Sequence, residues 1–360
     1  MAILKNIFLF ISLLLLTTGC FSDFEPDLKS VPVLCMNSNI SAGDTVVMQL
    51  TRTWRWSDPT VDEQNIIVDD AEVRLYVNDE FIETLHFAEI PPMSALPDSY
   101  DEPTHGYRSG YVAKEGDCIK LTAHSEKYGD AWAEVTVPES IDISHVDYDV
   151  VSFSSFSRGS YHRYNFGLNM LIWFTDRAST IDYYEFSESG TIPDRYYIPV
   201  PGQDNDEECF ASFTYFHVDY DKEPLFTEHV SALESAISDT WGYSIFSDRQ
   251  ISGKSYPLHI AIRDLYYNIN NPENNPELET ASIDLHLDVI SRSYYNHVMS
   301  VWAHNDGING VLGDVGLADP VWDASNVSTG AGVVAARSRA TYRLYLQDIV
   351  NREEKATPHL

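Results

Sequence analysis

The sequence predicts a mainly β protein: an N-terminal immunoglobulin-like β-sandwich, then a larger β-rich C-terminal domain with one or two helices. Three observations predict it. Short runs of alternating apolar and polar residues recur from Val31 onward, each closed by turn residues. Seven of these runs fall within about 110 residues before Pro138, the density expected of a sandwich. Only two later segments carry apolar residues at helical spacing.

The elements follow in order. Val31–Met36 is a short apolar strand, and Asp44–Trp56 is a longer one patterned by Val46, Met48 and Leu50. Ala71–Val77 places apolar residues at odd positions, as a half-buried strand does, and Asn78-Asp79 turns it into Phe81–Phe87. Tyr107–Val112, Cys118–Ala123 and Ala131–Val137 complete the first set, with Gly116-Asp117 marking a turn. The Cys-Trp-Cys spacing of antibody domains is absent, so only the architecture is implied. Pro138 ends the last of these strands, which places the domains at 31–138 and 139–350. In the second, strands are expected at Tyr164–Thr175, Tyr183–Ser187, Tyr196–Val200, Phe210–Val218, Tyr256–Ile262 and Ala281–Val289. Thr227 can cap a helix to Ile237, and Ser291 or Ser293 can cap another to Trp302. Asn268–Glu279 reads as a loop, Ala340–Ile349 as a last strand, and residues 351–360 as a frayed tail.

The first 19 residues carry the parts of an export signal. Lys5 precedes an apolar run from Ile7 to Leu16, too short to span a bilayer, and Leu16-Thr17-Thr18-Gly19 leads to Cys20. Small residues before a cysteine suit a lipoprotein signal peptidase, although Thr17 occupies the place where such signals usually have Leu. Cys20 is therefore the expected lipidation site, tying the protein to a membrane, with residues 20–30 as a polar tether. Asp23 and Glu25 in that tether favour display on the outer face of an outer membrane. Cleavage removes only Lys5 among charged residues, taking the net charge from −32 to −33. That charge opposes binding to nucleic acid and to anionic lipid.

Cys35, Cys118 and Cys209 remain after lipidation. Their setting leaves open a bond between Cys35 and Cys118 or three separate buried thiols. No CxxC or paired Cys/His spacing exists, which argues against a structural zinc site. The acidic loop Asp204, Asp206, Glu207 and Glu208 is the best calcium candidate, since hard oxygen ligands alternate there, but it lacks the central glycine of a helix–loop–helix site. Asn305 to Gly310 is a weaker version. No cofactor is otherwise implied. Trp54 and Trp56 flank Arg55 and are the strongest local candidates for contacting a ligand or partner.

Two glycine motifs match nucleotide sites by letter only. Ser252-Gly253-Lys254-Ser255 resembles the end of a phosphate loop, but Asp248 stands where the loop needs glycine, and a strand follows. Gly330-Ala331-Gly332-Val333-Val334-Ala335 fits the dinucleotide fingerprint without the strand–helix setting that fingerprint requires, so it reads as glycines at a strand edge or bulge in antiparallel surroundings. There is no HExxH and no GxSxG, so no catalytic residue is assigned. Strand geometry, one ring facing each way, explains most of the tyrosine pairs at 183–184, 196–197, 266–267 and 294–295, with a ligand platform as the alternative.

Three segments in order carry a family resemblance: Phe246-Ser247-Asp248 with Gly253-Lys254 and Tyr256; Ser291-Arg292-Ser293-Tyr294-Tyr295 running to Ser300; and Pro320 followed by Ser325-Asn326-Val327, Gly330 and Gly332. Together they resemble the Bacteroidetes lipoproteins known as the domain of unknown function 4249 family, over essentially the whole mature chain. The resemblance implies no activity. It implies an accessory or binding role, without catalysis, beside an outer-membrane TonB-dependent transporter. The alternatives are a surface adhesin or matrix lipoprotein, and an enzyme acting on polysaccharide or peptide.

Overall fold

Alternating burial along short strands builds most of the chain. The computed structural model describes residues 31–54, 66–91, 105–192, 196–198, 207–214, 217–220, 222–227, 244–270, 280–305 and 323–356. In chain order the strands are β1 (Leu34–Ser41), β2 (Thr45–Arg52), β3 (Glu72–Val77), β4 (Glu80–Thr84), β5 (His86–Glu89), β6 (His105–Val112), β7 (Cys118–Ser125), β8 (Gly129–Thr136) and β9 (Ile143–Arg158). They continue as β10 (Tyr161–Thr175), β11 (Tyr183–Thr191), β12 (Tyr196–Ile198), β13 (Glu207–Thr214), β14 (His217–Asp219), β15 (Ile245–Ser247), β16 (Ser255–Asn270), β17 (Ser282–Ile290) and β18 (Val334–Tyr345). Helix α1 (Arg292–Asn305) follows β17, and α2 (Leu346–Ala356) follows β18. The protein is mainly β, in several sheets. Among the described residues no helix is long and apolar enough to cross a membrane.

The strands form an eight-stranded sheet (β15-β11-β17-β18-β1-β2-β6-β5), a six-stranded sheet and a four-stranded sheet (β4-β3-β7-β8). The six-stranded sheet runs β12-β13-β16-β10-β9, with β14 also paired to β16. Each outer sheet packs on one half of the eight-stranded sheet. The first core joins Leu34, Met36, Val46, Met48 and Leu50 to Val73, Leu75, Ile119, Leu121, Ala133 and Val135. The second joins Phe166, Leu168, Met170, Ile172, Leu258, Ile260 and Tyr267 to Tyr184, Phe186, Ile283, Leu285 and Leu287. Strand β18 belongs to both, giving Val334 and Ala336 to the first core and Leu344 to the second.

The seam between the halves is a parallel pairing, Ser38–Ser41 beside Val334–Arg337. The glycine segment before β18 continues it. Ala331 donates its N–H to Leu34 O and accepts from Met36 N, both at 2.9 Å. Gly332 has φ +98°, and a Cβ there would lie 2.3 Å from Met36 O. The glycines are needed for close backbone approach, at a pairing that is parallel where the sequence predicts antiparallel surroundings.

Several elements differ from expectation. The run expected as one strand over Phe81–Phe87 is two: buried Leu85 divides β4, paired to β3, from β5, paired to β6 in the other sheet. Strand β9, at the edge of its sheet, carries serines and acids over most of its length and buries little, so its alternation is faint. Residues 268–270, expected in a loop, extend β16. Past Tyr345, where the sequence predicts a strand to Ile349 and fraying from Asn351, the chain is helical to Ala356, because Leu346, Ile349 and Val350 pack into the second core at helical spacing. Helix α1 starts where Ser291 was expected to cap it: Ser291 Oγ accepts from Tyr294 N at 3.4 Å. Pro224–Thr227 is a short 3-10 turn, and the expected helix to Ile237 lies outside the described residues.

Candidate functional site

The residues singled out in the sequence are not brought together. Cys20, Trp56, Asp204 and Asp206 lie outside the described residues. Trp54 follows β2 and is half exposed. The backbones of Glu207 and Glu208 lie in β13, opposite Ile198 and Tyr197. Among the described residues no three His, Cys, Asp or Glu side chains form a metal cluster. Cys35 and Cys118 are free thiols, so the bond left open between them is not formed. Burial pushes both thiols up.

The segments that carry the family resemblance build the frame. Asp248 Oδ2 accepts from Asp182 N at 3.1 Å, and Asp248 N donates back to Asp182 O at 3.0 Å. The Asp182 carboxylate receives Arg177 through two bonds of 3.0 and 2.8 Å. Asp176 accepts from Gly253 N at 2.8 Å and from the Tyr184 hydroxyl. Gly253, at φ +70°, is the turn residue that brings the chain there, and Lys254 reaches only Gln250 O. No anion cradle is built. Asn326 holds β18 like a clip: its Oδ1 accepts from Val334 N at 2.9 Å, and its Nδ2 donates to Val334 O at 2.8 Å. The Tyr294 hydroxyl of α1 donates to Glu185 at 3.1 Å.

Glu185 belongs to a polar ladder on the eight-stranded sheet. Strand β17 is buried on both faces, so Asp284, His286 and Asp288 must find partners on the face away from the core. Asp288 receives Arg339 through two bonds of 2.7 and 2.8 Å and Arg337 at 3.1 Å. Arg337 also donates to Glu185 at 2.9 Å and to Asn39 of β1 at 3.2 Å, which anchors the seam. Asp284 receives Arg343 through bonds of 2.8 and 2.7 Å, which lower its carboxyl. His286 lies between Ser189 (2.8 Å) and Thr341 (2.9 Å), and burial lowers its imidazole. Apart from Arg337 Nη2, which is buried without a partner, these groups saturate one another, so the ladder has little left to offer a ligand.

The open polar surface lies on the outer face of the six-stranded sheet, where a cleft of about 570 Å³ spans β9, β10 and β16. Cross-strand register sets its floor, because directly opposite residues share a face. Asp147, Leu171 and His259 form one row, and Asp149, Asn169 and Ala261 the next. His145, Trp173 and Pro257 form a third row at the end. The His145 ring stacks on Trp173 at 5.6 Å, and Trp173 Nε1 donates to Asp147 at 3.0 Å. Lys222 stands at one rim, held there by its neighbour Glu223, which is fully buried. Glu223 accepts from His259 N at 2.7 Å, the Tyr256 hydroxyl at 2.8 Å and Leu225 N at 3.0 Å. Arg352 of α2 bounds the other rim, its guanidinium 4.5 Å from the Tyr148 ring.

Unpaired amides mark this face. Only three buried side-chain N or O atoms among the described residues lack a hydrogen-bond partner: Asn165 Oδ1, Asn169 Oδ1 and Arg337 Nη2. Two of the three are amides of β10. An unpaired buried acceptor costs about 1–3 kcal/mol. Sequence reasoning missed this surface because its residues come from strands more than a hundred positions apart, and none forms a local motif.

No curated protein and no solved structure matches the chain. A family match does cover most of it, including all three segments that frame the seam and the ladder. Over residues 22–343 the chain belongs to the family described as Domain of unknown function (DUF4249).

Proposed function

We propose that this protein is an outer-membrane lipoprotein, held by lipid on Cys20, that serves as a non-enzymatic binding or accessory subunit beside a TonB-dependent transporter. The single observation that carries the binding role is the cleft on the six-stranded sheet. Its volume is that of a small-ligand site, and its floor mixes polar side chains with Leu171 and Ala261. The export signal, the polar tether and the chain's resemblance to a family of lipoproteins support the location.

The test is recovery of the tagged, lipidated protein from its own outer membrane in mild detergent, with partners identified by mass spectrometry. A stoichiometric TonB-dependent transporter is expected. Replacement of Cys20 by alanine should move the protein out of the membrane fraction. Recovery of the protein alone, or together with surface fibres, would overturn the accessory role and favour an adhesin.

A further inference from the structure

We propose that the outer face of the six-stranded sheet binds a neutral sugar in the cleft, over Asn169. The inference rests on the reading of the chain as a binding subunit and names the ligand class.

The two asparagines share a face. Asn169 is in the cleft, and Asn165 lies outside it, beyond Gly167, where Ser152 Oγ and Val151 Cγ2 of β9 stand 3.1 and 3.2 Å from the place of a Cβ. Four residues of strand place them roughly 13 Å apart. Each amide oxygen is buried without a donor among the described residues. No hydrogen bond fixes either amide plane, so a half-turn about the side chain's last bond presents oxygen or NH2 to a ligand. Such groups suit a partner that both donates and accepts.

The neighbours narrow the chemistry. Asp147 and Asp149 line the floor, and the chain carries a net charge of −32, so an anion is disfavoured. Lys222 and Arg352 at the rims disfavour a polycation. An apolar ligand would strand the carboxylates and amides without water. A sugar satisfies all of them. Its hydroxyls donate to Asp147, Asp149 and the Asn169 oxygen and accept from Lys222. Its C–H face covers Leu171.

The experiment is titration calorimetry on the full mature protein in mild detergent. The probes are neutral oligosaccharides of glucose, galactose, mannose, xylose and N-acetylglucosamine, set against trialanine and trilysine. At least one sugar and neither peptide should bind. Asn169→Leu should weaken that binding at least tenfold, and Asn165→Leu, outside the cleft, should leave it unchanged. Both variants remove an unpaired polar atom while roughly keeping side-chain size, so the melting temperature should hold or rise. No sugar binding, binding of a peptide instead, or undiminished binding in Asn169→Leu would overturn the proposal. Transporter recovery is read separately: a transporter without sugar binding removes only the ligand class, and sugar binding without a transporter removes only the accessory role.

Discussion

Glu188 shows how a single side chain sets a pH response. It lies on β11 at the margin of the second core, where burial raises its carboxyl and the Tyr220 hydroxyl, donating at 3.1 Å, only partly offsets this. A carboxyl raised by folding binds its proton more tightly in the native state. Its contribution is therefore fully present below the unfolded glutamate value of about 4.3 and is lost as pH rises through the raised native value. Glu188→Gln keeps an acceptor for Tyr220 and removes this loss. Urea unfolding should find the variant as stable as the native protein near pH 4 and more stable at pH 8; equal stability at both would show that Glu188 is not the source. Asp284 has the opposite sign. The Arg343 guanidinium lowers its carboxyl, so its contribution is lost as pH falls. At this scale the sequence is only partly legible. Asp284, His286 and Asp288 are visible as the polar half of an alternating strand, but their partners Arg337, Arg339 and Arg343 lie some fifty residues on. Asn165 and Asn169 read as ordinary polar positions, because their unpaired state depends on what the neighbouring strands fail to supply.

Among the elements, those with a strong local period were legible, and those made by context were not. Strands β3, β7 and β8 alternate cleanly because one face is core. Strand β9 buries so little that its pattern fades, and α2 is fixed only by docking Leu346, Ile349 and Val350. The glycine segment before β18 was readable as glycines at a strand edge, but not the parallel neighbour that requires them. Gly332→Ala tests that neighbour. The new methyl meets Met36 O at 2.3 Å at a φ of +98°, so the cost should exceed about 1 kcal/mol. Gly43, at φ +91°, has nothing within 4 Å of an added Cβ and controls for backbone strain alone. A larger drop in melting temperature for Gly332→Ala than for Gly43→Ala is expected; equal drops would mean that close approach to β1 contributes nothing.

For the molecule as a whole, the mainly β class was legible from composition and strand spacing. The shared eight-stranded sheet was not, because nothing local announces that β1 pairs with β18. The sharing has a thermodynamic result. Each core takes residues from β18, and Arg337 ties β1, β11 and β17 together, so neither core should unfold alone. Leu121→Ala, deep in the first core, should cost about 2–5 kcal/mol. It should lower one common transition, recorded both by the Cys35 thiol of the first half and by tyrosine fluorescence, which most of the second half's rings dominate. Two separated transitions would show that the cores are independent.

The parallel seam also governs when the protein can form. Val333 N reaches the side chain of Asn37 across 296 positions of sequence, at 3.1 Å. Contacts this distant along the chain form slowly, because a long loop must close before the bonds repay its entropy. Until residues 331–337 arrive, β1 has an open flank and the first core lacks Val334 and Ala336. A growing chain is thus held short of its native state until this late strand is available, and it is vulnerable to proteases over the same interval.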